Sequence, residues 1–328
     1  MLRGQAVWAV GVVPQADPPG LTAAMVHSDG TSLLAFGPQR FRGWDVAECA
    51  LLRRGAAEAA AEMVETAAAQ LLSGFPEAAI IGFRGPQLAG AEVGSGSVLA
   101  AVLDRPVVWD FRASDRQLGG RGGPLSPFFH HALARYLGAR EPLAVLTLGR
   151  RAALAWVDAR EPGPEVPGAL MAFDAGPAPP PGAGSGVPNP KAVARMLADP
   201  FFLRMPPKAL DDTAAAALAR ALGSRATRAT RTGAVAAAVA RGFEHFPAPP
   251  ARLLLAGPGR ANTMLVARLA ALLPCEVETV DAAGLPGDAL SAAACAHLAL
   301  RVARGLPTSG PATTGVAALV GGGQISRP

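Results

Sequence analysis

Charged residues at the end of an apolar run are the clearest chemical feature of this sequence. The run Val107–Phe111 carries Asp110, and Arg112 and Asp115 follow within one further turn. A loop with four glycines at 119–123 comes next. Glycines of this kind let a ligand approach the backbone. The pattern predicts a ligand-binding site at a strand end. Its candidate contacts are Asp110, Arg112, Asp115, Gly120 and Gly122.

The same residue types leave structural alternatives open. Asp110, Arg112 and Asp115 could instead form an ion-pair cluster at a strand end. His130 and His131 begin a predicted helix, where packing is the more common role of a histidine. Lys208 follows two prolines and could contact a phosphate or stay solvated. No histidine stands near a cysteine or glutamate at metal-ligand spacing, so we predict no metal site.

Short apolar strands and amphipathic helices must position these residues. Apolar runs bounded by glycine, proline or polar turns predict strands, and longer segments with a helical period predict helices. The predicted strands are Val7–Val13, Thr22–Ser28, Ser32–Phe36, Ala79–Phe83, Val107–Phe111, Leu143–Leu148, Ala152–Val157, Ala169–Phe173, Arg252–Ala256 and Glu276–Val280. The predicted helices are Cys49–Leu72, Pro127–Leu137, Lys191–Leu197, Asp212–Leu222, Gly233–Phe243, Asn262–Leu273 and Asp288–Arg304.

The chain is long enough for two domains. Its 328 residues are half apolar, which indicates a globular protein. Residues 176–190 are rich in proline and glycine and cannot form a helix or a central strand. Strands followed by helices occur twice. We therefore predict an α/β lobe over 1–140, a second α/β lobe over 141–328 with the loop at 176–190, and a cleft between them.

Composition excludes several other classes. The formal net charge is +5, but the arginines are spread along the chain, which argues against nucleic-acid binding. The apolar start is too short to cross a bilayer and lacks a clear signal-peptide cleavage site. The three cysteines suit neither a disulfide framework nor a zinc site. These features predict a cytoplasmic protein with no membrane or nucleic-acid partner.

Three motifs, taken in order, resemble one family. The strongest is the segment 108–133, VWDFRASDRQLGGRGGPLSPFFHHAL, which is similar to a pattern D-F-R-x-x-D…G-G-Q-G-A-P-L-x-P-x-x-H. The second is Asp199-Pro200-Phe201-Phe202 with Pro206-Pro207-Lys208. The third runs from Leu253 to Val316 and includes Gly257-Pro258-Gly259 and Asn262. Together they resemble the anhydro-N-acetylmuramic acid kinase family over nearly the whole chain.

This resemblance implies a fold, a reaction and a set of site residues. The implied fold is a two-lobed α/β actin-like ATPase (ribonuclease H-like) sugar kinase with an interlobe cleft. The family uses ATP, with Mg²⁺, and water to open and phosphorylate 1,6-anhydroMurNAc, which recycles peptidoglycan sugar. Asp174 matches the general base. The implied nucleotide contacts are Gly11, Gly20, Gly257, Gly259 and Asn262. The family also implies an amino-sugar substrate and a homodimer.

The first phosphate loop departs from the family pattern. G-x-M-S-G-T-S-x-D-G-x-D aligns with Gly11–Thr22, GVVPQADPPGLT, and only the two glycines remain. Prolines at 14, 18 and 19 lack the N–H groups that hold phosphate, and Asp17 adds a negative charge. The family's paired-glycine turn N-x-G-G-I-A-N falls on 147–153, where Arg150 and Arg151 replace small residues.

Three functional hypotheses follow from these motifs. The first is a member of the family whose degraded phosphate loop leaves it weakly active or inactive, a pseudoenzyme, because phosphoryl transfer depends on positioning and charge stabilisation. The second is an active anhydroMurNAc kinase with an unusual loop. The third is a non-catalytic sensor of a muropeptide sugar, or a partner of an active kinase.

Overall fold

The computed structural model describes residues 4–88, 90–180, 182 and 186–328. Residues 181 and 183–185 of the proline- and glycine-rich loop lie outside this description. The strands are β1 (Val7–Ala16), β2 (Pro19–Ser28), β3 (Leu33–Gly43), β4 (Ile80–Phe83), β5 (Gln87–Leu88), β6 (Ala91–Glu92), β7 (Val107–Trp109), β8 (Leu143–Leu148), β9 (Arg151–Val157), β10 (Leu170–Pro177), β11 (Arg252–Ala256), β12 (Glu276–Thr279) and β13 (Gln324–Ser326). The helices are α1 (Val46–Arg54), α2 (Ala57–Leu72), α3 (Gly96–Leu103), α4 (Ala113–Gln117), α5 (Pro127–Tyr136), α6 (Pro190–Leu197), α7 (Asp212–Ala221), α8 (Arg228–Phe243), α9 (Thr263–Leu272) and α10 (Leu290–Ala303).

The first unit comprises Met1–Tyr136 and Asp288–Pro328 and is built on a six-stranded sheet. The strand order is β13-β7-β4-β1-β2-β3. Strands β1, β4 and β7 run parallel, whereas β2, β3 and β13 are antiparallel to their neighbours. Because β4 and β7 are parallel neighbours, the residues that follow them, including Arg84 and Asp110, leave the same edge of the sheet.

The hairpin of β1 and β2 extends further than the sequence predicts. The expected strands stop at Val13 and begin again at Thr22, but pairing continues to Ala16 opposite Pro19. The Thr22 hydroxyl donates to Gln15 Oε1 at 2.5 Å across the hairpin. Proline is tolerated at the first position of a strand, so Pro19 does not break the ladder.

Helix α10 packs against β1, β2 and β4 on one face of the first sheet, opposite the apolar core that involves α2 and α3. Glycines make this approach possible. A Cβ added at Gly11 would lie 2.1 Å from the Ala292 carbonyl oxygen, and one at Gly82 would lie 2.6 Å from that of Cys295. The helix backbone therefore occupies the space that side chains would need.

The segment predicted as one helix, Cys49–Leu72, forms two helices, α1 and α2. Gly55 ends α1 in the left-handed conformation, with φ of 70°. Glycine adopts this conformation without the steric cost of a Cβ, and it is the usual residue after a helix end. Asp45 and Glu48 form a capping box at the start of α1, which extends that helix upstream of the predicted boundary.

The second unit is Leu137–Gly287, built on a five-stranded sheet of order β10-β9-β8-β11-β12. Strands β8, β11 and β12 are parallel, and β9 and β10 complete an antiparallel meander. Its core joins the sheet to α8 and α9. A further apolar cluster joins α6, α7 and α8 around Phe201 and Phe202.

The predicted domain division differs from the structure at one end. The boundary near 140 lies close to the division after Tyr136, but residues 288–328 belong to the first unit, not to the predicted second lobe. The reason is that this segment packs on the first sheet and adds a strand to it. Helix α10 covers the first sheet, and β13 extends it beside β7. Within the described residues, no helix combines the length and hydropathy needed to cross a membrane.

Three histidines, His130, His131 and His297, are buried in the first unit. Burial lowers the pKa of His130 to about 4 and that of His297 to about 3. The positive charges of Arg301 and of any protonated His131 act on His297 in the same direction. His297 Nδ1 lies 2.9 Å from the Ser28 hydroxyl. His130 and His131 are therefore buried packing residues of α5, as the structural alternative predicted.

We expect the free energy of unfolding to fall as the pH drops below about 6.5, the ordinary histidine pKa. Below this pH the two histidines are protonated in the unfolded chain but stay neutral in the folded protein. Each of His130 and His297 therefore lowers the free energy of unfolding by about 1.4 kcal/mol per pH unit, until the pH reaches its pKa in the folded state. Urea denaturation between pH 7 and pH 5 measures the slope. His130→Leu should make it shallower by about one proton. An unchanged slope in this variant would contradict the expectation.

Candidate functional site

Asp110 follows β7 in a backbone conformation that is rare for an aspartate. Its φ is 49°, in the left-handed region. Outliers of this kind cluster at functional sites and persist where the surroundings impose them. The Asp110 Oδ2 accepts a hydrogen bond from Gln324 Nε2 at 3.2 Å, so β13 helps to hold this carboxylate.

Arg112 lies in a cluster of charges with Arg84 and Glu92. Burial, reinforced by the positive charge of Arg84, lowers the pKa of Arg112 to about 10. Burial also raises the pKa of Glu92, whose Oε1 accepts a hydrogen bond from the Gly85 amide at 2.9 Å. Within the described residues, Arg112 makes no ion pair with Asp110 or Asp115. The structure thus differs from the ion-pair alternative and leaves the guanidinium group available to a ligand.

Asp115 is buried, and its carboxylate is hydrogen-bonded within the protein. It is 1 % exposed, and its Oδ1 and Oδ2 accept hydrogen bonds from the Gly122 amide at 2.6 Å and the Thr314 hydroxyl at 2.5 Å. A Cβ on Gly120 would lie 2.2 Å from Asp115 Oδ1, so only glycine fits there. Asp115 therefore shapes the glycine loop and joins it to the segment around Thr314. Direct ligand contact by Asp115, Gly120 and Gly122 stays a prediction.

Asp174 lies within β10 rather than in the loop that follows. Its backbone amide donates to the Lys208 carbonyl at 2.9 Å, and its Oδ2 accepts from the Leu210 amide at 2.8 Å. The strand has a bulge between Asp174 and Gly176. The Leu210 amide therefore orients this carboxylate, and the Lys208 carbonyl holds the backbone of Asp174.

Lys208 is buried, contrary to the solvated alternative drawn from the sequence, and a phosphate contact stays a prediction. Its ammonium group donates to the Phe201 and Phe202 carbonyls at 3.4 and 3.3 Å and lies 3.0 Å from His245 Nε2. Burial, with the charges of Arg241 and Arg204, lowers its pKa to about 8. Lys208 therefore anchors the segment that holds Asp174.

The glycine turn after β11 packs against the turn after β8. Gly257 has φ of 77°, and a Cβ there would lie 2.8 Å from the Leu148 carbonyl oxygen. A Cβ on Gly259 would lie 2.6 Å from the Leu148 Cβ. The Asn262 side-chain oxygen Oδ1 caps α9 by accepting from the Leu265 amide at 3.0 Å, and its Nδ2 donates to the Gly182 carbonyl. These three predicted nucleotide contacts lie together at one edge of the second sheet.

Gly11 and Gly20, the other predicted nucleotide contacts, are packing positions of the first sheet. Gly11 faces α10, and a Cβ on Gly20 would lie 2.3 Å from the Arg42 carbonyl oxygen. Both are buried in the β1–β2 hairpin. A nucleotide contact at either glycine stays a prediction.

Sequence reasoning did not include Arg84, Arg150 and Arg151 among the candidate ligand contacts. Arg84 follows β4 and its charge acts on Arg112. Arg150 lies in the turn between β8 and β9, and Arg151 is the first residue of β9. The doubled arginine in a hairpin turn was the available signal. Within the described residues, no group of three histidine, cysteine, aspartate or glutamate side chains is arranged to hold a metal ion.

These features define a class of protein. It is an α/β protein with two mixed sheets, with glycine turns and a carboxylate near the sheet edges, that resembles actin-like ATPase and sugar kinase structures. Among solved structures, the chain is similar to the inorganic polyphosphate/ATP-glucomannokinase from Arthrobacter sp. strain KM, with 17% identity, 88% and 99% of the two chains covered and a TM-score of 0.40. It is also similar to component A of (R)-2-hydroxyglutaryl-CoA dehydratase from Acidaminococcus fermentans, with 12% identity, 91% and 99% covered and a TM-score of 0.40.

The chain belongs to the anhydro-N-acetylmuramic acid kinase family. The family model described as anhydro-N-acetylmuramic acid kinase matches residues 86–180 and 181–327. An anhydro-N-acetylmuramic acid kinase from Cereibacter sphaeroides is 47% identical over 364 positions, covering 100% of this chain and 98% of the relative. The corresponding protein of Ruegeria sp. is 43% identical, covering 98% and 95%. The resemblance drawn from the sequence motifs is confirmed.

We expect Asp115→Asn and Thr314→Val each to lower the free energy of unfolding by about 1–3 kcal/mol, because each leaves a buried polar group without its partner. The double variant should cost less than the sum, with a coupling of about 0.5–3 kcal/mol. Urea denaturation of the wild type, both single variants and the double variant measures this cycle. Strict additivity would show that the two side chains do not interact.

Proposed function

We propose that this chain is an active kinase that uses ATP and water to convert 1,6-anhydro-N-acetylmuramic acid into its 6-phosphorylated open form. The observation that carries the proposal is the 47% identity to a kinase of that name along the full length of both chains. The hypothesis of an inactive member rested on the β1–β2 hairpin and on further departures from the family pattern, such as the arginines at 150 and 151. Nothing in the family comparison supports it, and the alternative of an active enzyme with an unusual loop has the better support.

Asp174 is the residue best suited to act as the general base in this reaction. A base must accept a proton from the water that attacks the anomeric carbon, so its carboxylate needs a fixed direction. The Leu210 amide fixes one oxygen at 2.8 Å, and the Lys208 carbonyl fixes the backbone at 2.9 Å. In this proposal both bonds place the carboxylate before substrate arrives, which lowers the cost of reaching the reactive geometry.

The charged cluster of the first unit is suited to a sugar acid. Arg112 and Arg84 offer guanidinium donors that suit a carboxylate, and Asp110 and Glu92 can accept hydrogen bonds from hydroxyl groups. A muramic acid carries both kinds of group. Substrate binding by Asp110 and Arg112 therefore stays part of this proposal, with Arg84 as an added contact.

The residues of the second unit fit a nucleotide. Gly257, Gly259 and Asn262 lie at the sheet edge that also bears the β8–β9 turn, and Gly149 in that turn has open space around its Cα. ATP would supply the phosphoryl group that is transferred. Mg²⁺ is commonly held through one or two carboxylates together with the phosphates, so its binding does not require a preformed cluster of protein ligands.

The homodimer and the cytoplasmic location implied by the family stay predictions. The third hypothesis, a non-catalytic sugar sensor, predicts no turnover of ATP and sugar. Product formation from ATP and the sugar separates it from the proposed kinase.

Asp174→Asn should lower kcat for sugar phosphorylation by about 10²- to 10⁴-fold, because the amide cannot accept the proton from water. Sugar affinity should remain close to that of the wild type. A coupled ADP-release assay and calorimetry with the sugar measure the two effects. Asp199→Asn is the matched control, since Asp199 caps the turn at Phe201 and asparagine caps equally well. Equal activity in Asp174→Asn and the control would refute the assigned role.

A further inference from the structure

Two consecutive arginines lie at the junction of β8 and β9 in the second unit: Arg150 is in the turn, and Arg151 begins β9. Strands β8 and β11 are parallel and end together, so this turn and the turn at Gly257 leave the same sheet edge. Strand β10 ends there too, since Pro177 pairs with Arg151. In open α/β sheets, ligands bind beyond the carboxyl ends of the parallel strands.

The two guanidinium groups share one carboxylate, that of Asp212 at the start of α7. Arg150 Nη2 lies 3.3 Å from Asp212 Oδ2, and Arg151 Nη2 donates to Asp212 Oδ1. The side chains of Arg150 and Asp212 are 79% and 77% exposed. Exposed ion pairs of this kind contribute little stability, so a ligand with several negative charges can replace the carboxylate.

Arg151 is held more firmly than Arg150, and by the segment that orients Asp174. Its Nε donates to the Leu210 carbonyl at 2.9 Å, while the Leu210 amide donates to Asp174 Oδ2 at 2.8 Å. A ligand on the arginines would therefore lie on the same edge as the proposed general base. The Arg150 side chain makes no hydrogen bond to a described residue other than Asp212, which leaves most of its donors for a ligand.

The other charges near this turn are already engaged. The Asp211 carboxylate caps α7 through the Ala214 amide at 2.7 Å. Arg260 pairs with Asp281 and also donates to the Gly257 carbonyl at 3.2 Å. Arg150, Arg151 and their exchangeable counter-ion Asp212 are therefore the charged groups best placed to respond to a ligand.

We propose that Arg150 and Arg151 bind the phosphate groups of the nucleotide, and that Asp212 occupies the two guanidinium groups until the nucleotide displaces it. The inference rests on the proposed kinase function. Guanidinium groups bind phosphate with paired hydrogen bonds. Arg150 and Arg151 therefore supply phosphate donors from within the second unit itself.

Calorimetry of the full chain with ATP–Mg²⁺ and with inorganic tripolyphosphate tests this site. Arg150→Gln should weaken both ligands about tenfold, which corresponds to the loss of one charge-assisted hydrogen bond. Asp212→Asn should tighten both severalfold because it removes the competing carboxylate. A merely structural role for this ion pair would not produce opposite effects. Arg241→Gln, which removes the exposed pair with Glu244 on α8, is the matched control and should leave both affinities unchanged.

Several outcomes would overturn the proposal. These are wild-type protein that binds neither ligand, Arg150→Gln with unchanged affinity, or Asp212→Asn with weaker binding. Thermal unfolding of each variant without ligand checks that the fold is intact. Sugar phosphorylation, measured in parallel, reports on the proposed function separately. Turnover with an unaltered Arg150→Gln affinity would refute this inference alone, whereas the expected affinity pattern without turnover would refute the kinase function alone.

Discussion

The backbone of Leu210 is the constraint on which the second unit's edge depends. Its amide donates to the Asp174 carboxylate and its carbonyl accepts from Arg151, so one buried residue sets the distance between an acid and a cation. Lys208, two residues earlier, is anchored on the Phe201 and Phe202 carbonyls. Backbone groups cannot be altered by substitution as side chains can. The arrangement therefore tolerates sequence change around it.

Much of the fold was predictable because strands, helices and their order follow from hydrophobic period and turn residues. The helix α10 was predicted within two residues of each end, yet its membership of the first unit was not. Local sequence reports which face of a helix is apolar, but it does not report which of two sheets covers that face. The close approach of α10 at Gly11 and Gly82 decides which sheet the helix covers, and these contacts join residues more than 200 positions apart.

The site was predictable in kind and less so in detail. A charged strand end followed by glycines correctly located Asp110 and Arg112 at a sheet edge. The sequence could not distinguish a glycine that admits a ligand from one that admits a helix, as at Gly11, or a side chain, as at Gly120. Nor could it separate a ligand-binding aspartate from Asp115, whose partner Thr314 lies 199 residues away. Such distinctions depend on contacts between distant segments.

The last 41 residues belong to the first unit, so the second unit is inserted in the sequence between two segments of the first. Synthesis proceeds from the amino terminus, so the ribosome exposes all of Leu137–Gly287 before α10 and β13 exist. The second unit can therefore fold while the sheet of the first unit still has an uncovered face and an unpaired strand edge. We expect chaperone binding and misassembly to be most frequent at this stage of synthesis.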